Sequence, residues 1–354
     1  MGRNHFLLLA LAALGGWPAC SGNDSALSTA PSIGSEKRVI SNLSAAAVSG
    51  VVTDALDGRP LGGITVEIPG SASTTTGGDG AFTLEAAGFG SVPLVVRREG
   101  FHTRETYVML SPQPAQIDVL PLDRHFDLDF FDHVFRNLGE GHTLRWTQEP
   151  RFEIWTGVYE LVEGQFHGDF VATGDVGPGQ YVQIARDVIA ADAPKYTGGV
   201  VVGADVVVIP PHPAGTRLTY HDYFKPFTIS VLLLEGDDTS YGPSWPYESG
   251  RLYSASIWYE RRFKREERQV FSHELAHTLG FFHPADHENV PQPSIMRDAV
   301  ALTAQDQIHG RILYRRPPGS RTADKDPEGF TINALRAEME AGPPDPALIQ
   351  WVRD

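Results

Sequence analysis

The chain has 354 residues, 41% of them apolar, with 29 basic and 44 acidic side chains and a formal net charge of −15. At roughly 150 residues per domain, that length accommodates two cores. The negative balance argues against nucleic acid or anionic membrane as the main partner, and a single cysteine excludes an intramolecular disulfide.

Residues 1–20 read as an export signal and stand outside the fold. Arg3 supplies a basic start, Phe6 to Leu14 form an apolar run too short to span a bilayer, and small residues lead to Ala19-Cys20-Ser21. The stretch resembles a bacterial export signal, and Cys20 resembles the lipid-acceptor cysteine of lipoproteins, although Trp17 and Pro18 stand where that box prefers Leu and a small residue. The expectation is a protein exported from a bacterial cell and held at the outer membrane or cell surface by lipid on Cys20. Plain secretion, with cleavage nearby, is the alternative. Residues 21–44, rich in Ser, Ala, Asn and Gly without a periodic apolar face, read as a flexible tether.

From Val48 the pattern changes to short β-branched runs between turn residues. Alternation at Ile64, Val66 and Ile68, and at Phe82 and Leu84, predicts half-buried strands. Asp57-Gly58 and Asp79-Gly80 are tight-turn signals. Residues 45–122 therefore read as an antiparallel β-sandwich without a helix. Gly50-Val-Val-Thr-Asp54, Pro60-Leu61 with Gly63, Gly80 with Phe82, and Gly100-Phe101 are similar to the carboxypeptidase regulatory-like, transthyretin-type fold. That resemblance implies a spacer, or a module that docks to substrate or cell envelope, with no chemistry of its own; His102 reads as a surface residue.

Residues 123–317 carry the order of an α/β (α+β) domain with one mixed, twisted sheet. Arg151 to Thr156 predicts a first strand, and residues 177–193 a helix ended near Pro194. Val200 to Ile209 predicts one or two strands interrupted by Gly203, Thr228 to Leu234 a continuous, mainly apolar strand, and Leu252 to Tyr259 a further strand. The charged run Glu260 to Arg268 reads as a solvated helix start.

Then comes His273-Glu-Leu-Ala-His277-Thr-Leu-Gly280-Phe-Phe-His283. In a helix, His273 and His277 stand about 6 Å apart along the axis on one face, so both imidazoles can reach one ion. Phe271, Leu275 and Leu279 form the opposite, core-facing side. His283 can join them only if the helix stops and the chain turns back, and Gly280 stands where a left-handed cap is needed. Three histidines leave the fourth position of a tetrahedral zinc for water, and Glu274 lies within reach of that water without being a ligand. His287 offers an alternative ligand in poorer register.

The motif, with Met296 in Ser-Ile-Met, resembles the metzincin metallopeptidases, whose Met-turn underlies the zinc. Leu302-Thr303 with Asp306, and Ile312-Leu313-Tyr314, resemble the closing helix of matrixins. Pro284 after the third histidine is similar to serralysin-type members, and Asp298 stands where astacins and serralysins place a Tyr, so no subfamily is singled out. The resemblance implies an exported zinc endopeptidase acting on protein or peptide substrates. His273, His277 and His283 would hold one Zn2+, Glu274 would act as general base, and Gly280 and Met296 would shape the site. Matrixin latency uses a prosegment thiol on the zinc, and with Cys20 in the leader that device has no candidate here.

Thr303 and Asp306 form an acidic variant of the capping box. Glu235, Asp237 and Asp238 follow a strand end and offer a Ca2+ loop, or an ordinary polar loop. Residues 318–354, with a short helical stretch at Ile332 to Met339, read as a tail or strap. Two other functions compete: an envelope-anchored binding or adhesion protein with an inactive metalloprotease-like domain, and a maturation protease with itself or one protein as substrate.

Overall fold

The computed structural model describes residues 46–86, 90–122, 125–136, 141–162, 168–235, 240–260, 267–284, 293–297, 301–329 and 332–350. The expectations at Cys20, Asp237, Asp238, His287 and Asp298 lie outside these residues, as does most of the charged run after Glu260.

The first strands are β1 (Ala46–Asp54), β2 (Thr65–Ile68), β3 (Ala72–Thr75), β4 (Ala81–Ala86), β5 (Ser91–Arg97), β6 (Arg104–Met109) and β7 (Ala115–Val119). They make two sheets, ordered β4-β1-β7 and β3-β2-β5-β6. Alternate residues from both, including Val52, Val66, Phe82, Leu94, Val96 and Ile117, close one core between them. Gly58 and Gly80 adopt the positive φ that their Asp-Gly turns require. One pairing differs from the antiparallel expectation: β1 and β7 run parallel. These strands are separated by the whole domain, so no hairpin constrains their direction.

The next elements are α1 (Leu128–Phe135), β8 (Arg151–Leu161), β9 (Phe170–Val176), α2 (Tyr181–Thr197), β10 (Val206–Ile209), β11 (Arg217–Leu218), α3 (Tyr220–Tyr223), β12 (Thr228–Leu234), β13 (Ser244–Pro246), β14 (Leu252–Glu260), α4 (Glu267–Thr278), α5 (Ala304–Arg315) and α6 (Ile332–Ala341). The sheet of this second domain orders β11-β9-β8-β12-β14-β13, and β10 pairs the first half of β8. Strands β10, β8, β12 and β14 are mutually parallel, while β13 is an antiparallel edge.

Strand β12 is buried at every position, with Ser230 the hydroxyl that interrupts its apolar side chains. Ile229, Val231 and Leu233 face helices α2 and α4, while Leu232 and Leu234 face an aromatic layer containing Trp155, Phe170, Trp245 and Trp258. A strand buried on both faces has no need to alternate, and each such aliphatic side chain contributes about 2 kcal/mol of burial.

Two elements depart from expectation. Helix α2 runs through Pro194 and ends at Gly198, which is left-handed. Tyr196 and Thr197 beyond the proline are fully buried, and that packing holds the last turn. Residues 200–205 form no strand, because the Glu149 carboxylate accepts hydrogen bonds from the amides of Val202, Gly203 and Ala204.

The sandwich is bolted to the second domain, and Ser44–Asp354 forms one compact unit. Arg316, 1% exposed, ion-pairs with Asp118 of β7, and Arg104 of β6 lies 2.7 Å from Asp326 and 3.6 Å from Asp118. Burial alone would raise the Asp118 carboxyl, but Arg316 and Arg104 beside it hold it below the usual carboxylate range. His102, expected at the surface, is half-buried and stands edge-on to Phe126, with ring centroids 6.2 Å apart. Among the described residues, no helix is long and apolar enough to cross a membrane.

Candidate metal centre

Helix α4 is the next element after β14 in the chain, and β14 lies between β12 and the edge strand β13. Its core side is as expected: Phe271, Leu275 and Leu279 are at most 1% exposed. The helix ends in a Schellman arrangement, with the Gly280 amide donating to His277 O and the Phe281 amide to Ala276 O. Gly280 has φ 95°. A Cβ there would also collide with the Leu144 carbonyl oxygen, so glycine is required twice over. The last carbonyls of the helix, which lack partners within it, accept from elsewhere: Trp146 Nε1 donates to Thr278 O at 2.8 Å, and Tyr314 Oη to Leu279 O at 3.0 Å.

The turn brings His283 back. The three rings have centroids 4.9, 5.0 and 4.7 Å apart, and one nitrogen from each lies within 4.8 Å of the others. Each Nδ1 donates to a backbone carbonyl: His273 to Ile295 O at 2.6 Å, His277 to Phe281 O at 2.8 Å, and His283 to Met296 O at 3.0 Å. A carbonyl oxygen has no proton to give, so these bonds place the proton on every Nδ1 and turn the Nε2 lone pairs inward. The Nε2 atoms of His277 and His283 stand 3.1 Å apart. Two nitrogens bound to one tetrahedral zinc are about 3.3 Å apart. The separation is close to that spacing, so the donor set fits zinc in number, tautomer and spacing.

The acceptor carbonyls are themselves held. The fully buried Asp306 accepts from Ser294 Oγ at 2.5 Å, the Ile295 amide at 3.0 Å and Thr303 Oγ1 at 2.8 Å, while the Thr303 hydroxyl caps α5. Both halves of the expected capping box are present. Asp306 does more than cap, because it fixes the turn whose carbonyls orient His273 and His283. Met296 is fully buried, and its carbonyl supplies the contact with His283. Glu274 is fully buried on the same helix. Glu235, from the expected calcium loop, donates its amide to Tyr159 O.

Sequence reasoning missed the carbonyls of Phe281, Ile295 and Met296, since a main-chain acceptor leaves no mark on residue type. It also missed Gly242, where a Cβ would collide with that of His277 and stand 3.0 Å from Glu274 O.

Solved structures give weak likenesses. Two are crystal structures of interface mutants of a type II cohesin–X-dockerin complex from Acetivibrio cellulolyticus. They are 21% and 22% identical, cover 23% of this chain and 60% of theirs, and both have a TM-score of 0.18. This chain thus spans about three-fifths of those chains' length. The Bacillus anthracis TIE protein is 7% identical over 60% of this chain and 41% of its own, with a TM-score of 0.17. Scores so low carry no argument about the fold. No curated protein matches the chain, and no peptidase family model does. Residues 47–120 match the family model of the carboxypeptidase regulatory-like domain, and the first β-sandwich is a domain of that kind.

Proposed function

We propose that the chain is an exported zinc-dependent endopeptidase of metzincin type. The observation that supports it most is the set of three imidazoles, each held by a backbone carbonyl so that its Nε2 faces the other two. When bound there, zinc supplies Lewis acidity, polarising a water and the scissile carbonyl near neutral pH. His273, His277 and His283 hold and orient it. Glu274, one residue along the helix from His273, takes a proton from the attacking water as the C–O bond forms. It returns that proton to the amide nitrogen as the C–N bond breaks. The edge strand β13 offers backbone groups for an extended substrate. The export reading of residues 1–20 and Cys20 puts this activity outside the cytoplasm, with the regulatory-like domain as a rigid docking or spacing module.

A second reading is an envelope-anchored binding protein whose metal site is structural, and the full burial of Glu274 favours it. Elemental analysis, together with casein digestion with and without a chelator, separates the two. One equivalent of zinc and chelator-sensitive cleavage support the peptidase; zinc without cleavage supports the binding protein. Absence of zinc binding would end both.

A further inference from the structure

We propose that residues 342–350 are a built-in competitor, occupying the outer edge of β13 on which an extended peptide would pair on its way to the three histidines. The Ser244 amide donates to Gln350 O at 3.1 Å, and the Gln350 amide donates to Ser244 O at 2.8 Å, an antiparallel pair on the outer side of β13. Trp245 Nε1 donates to Asp345 O at 3.0 Å and Tyr247 Oη to Gly342 O at 3.2 Å. Ile349 is 9% exposed and packs in the aromatic layer with Trp245 and Tyr253.

Direction and register tie this strap to the metal centre. Tyr241 exchanges both backbone hydrogen bonds with Trp258, on the inner side of the edge. Backbone groups alternate sides, so the outward pairs are those of Gly242 and Ser244. Gly242 lies against His277 with no room for a Cβ. A chain paired at Ser244 and running antiparallel to β13 therefore heads toward Gly242 and His277, about 7 Å further on. Residues 342–350 run in that direction, as a docked peptide would, and their pairing with β13 reaches Ser244, two positions before Gly242.

Its composition suits a resident competitor. Pro343, Pro344 and Pro346 stiffen the approach, and Asp345 caps the turn Pro346–Leu348 by accepting from the Ala347 amide at 2.9 Å. Little conformational entropy is then lost on docking. Being tethered, the strap acts at an effective concentration on the order of millimolar, which a peptide in solution must overcome.

This inference rests on the peptidase reading only for the consequence of docking, so binding and cleavage are measured separately. Fluorescein-labelled denatured casein is the probe. Its affinity is read by anisotropy in the Glu274→Gln background and its cleavage in the parent background. The full chain is compared with a chain ending at Ala341 and with a full-length Gln350→Pro variant, which removes one donor and leaves the aromatic layer covered. All are checked for zinc content and circular dichroism. The expected result is binding and cleavage at least about tenfold stronger in the shortened chain, with Gln350→Pro moving the same way; should the shortened chain misfold, Gln350→Pro decides. Tighter binding with no cleavage keeps the competitor and removes the peptidase. Equal binding in all three chains, or none in any, overturns the competitor, and cleavage then judges the peptidase alone.

Discussion

His283 Nδ1 donates to the main-chain carbonyl of Met296, thirteen residues further along the chain, at 3.0 Å. The methionine thus reaches the site through its backbone, and what holds that backbone is Asp306. Replacing Asp306 by Asn is expected to weaken zinc binding by about tenfold or more, the usual effect of losing a group that orients a ligand. Met296→Leu, which keeps the carbonyl and much of the volume, is expected to change it by less than about threefold. Competition against a zinc chelator measures both, and equal losses would contradict the carbonyl assignment.

Gly280→Ala tests the turn. A left-handed alanine costs about 1–2 kcal/mol, and its Cβ would also displace the Leu144 carbonyl. We expect a lower Tm together with weaker zinc binding, since His283 depends on that turn. Lost stability with unchanged zinc affinity would separate the turn from the site.

Glu274→Gln keeps the side chain's size and removes its capacity to take a proton. Zinc content and Tm are expected to stay at the parent level while casein cleavage falls by about a thousandfold or more. Turnover near the parent rate would remove Glu274 from the mechanism.

Removing the metal should lower stability as well as activity. Zinc held by the three imidazoles of the folded chain stabilises that state by mass action. With zinc at a hundred times its dissociation constant, the loss on chelation is about 2.7 kcal/mol, read as a fall in Tm that added zinc restores.

Asp118 carries the acid response of the domain junction. Its folded pKa is held below the unfolded value of about 3.9, so its contribution is complete above that pH and fades as pH falls through the folded value. Asp118→Asn should therefore cost most near neutrality, about 3 kcal/mol with Arg316 left buried without its carboxylate, and progressively less as pH falls below the unfolded carboxylate value. Denaturant titration near neutrality and below that value checks the sign. Because the sandwich and the second domain share this pair, the parent should unfold in one transition.

Much of this protein was legible in the order of its residues. Local periodicity placed α4, β12, β14 and the alternating strands of the sandwich, because each depends on which face a side chain must bury. Gly280 marked the break in the helix, and the spacing of His273, His277 and His283 implied that the chain turns back. Pro194 misled, because its effect on α2 was outweighed by the burial of Tyr196 and Thr197 contributed by distant elements.

The amino-acid order by itself determined which side chains can bind a metal and where the chain must bend, since donor chemistry and backbone freedom belong to single residues. Only the tertiary structure decided what holds those donors in place and what lies beside them. The carbonyls of Phe281, Ile295 and Met296, the second use of Asp306, the pairing of Arg316 with Asp118 and the strap on β13 are contacts between segments far apart in the chain. Main-chain hydrogen bonds of that kind depend on where the backbone runs, and residue identity alone does not encode it.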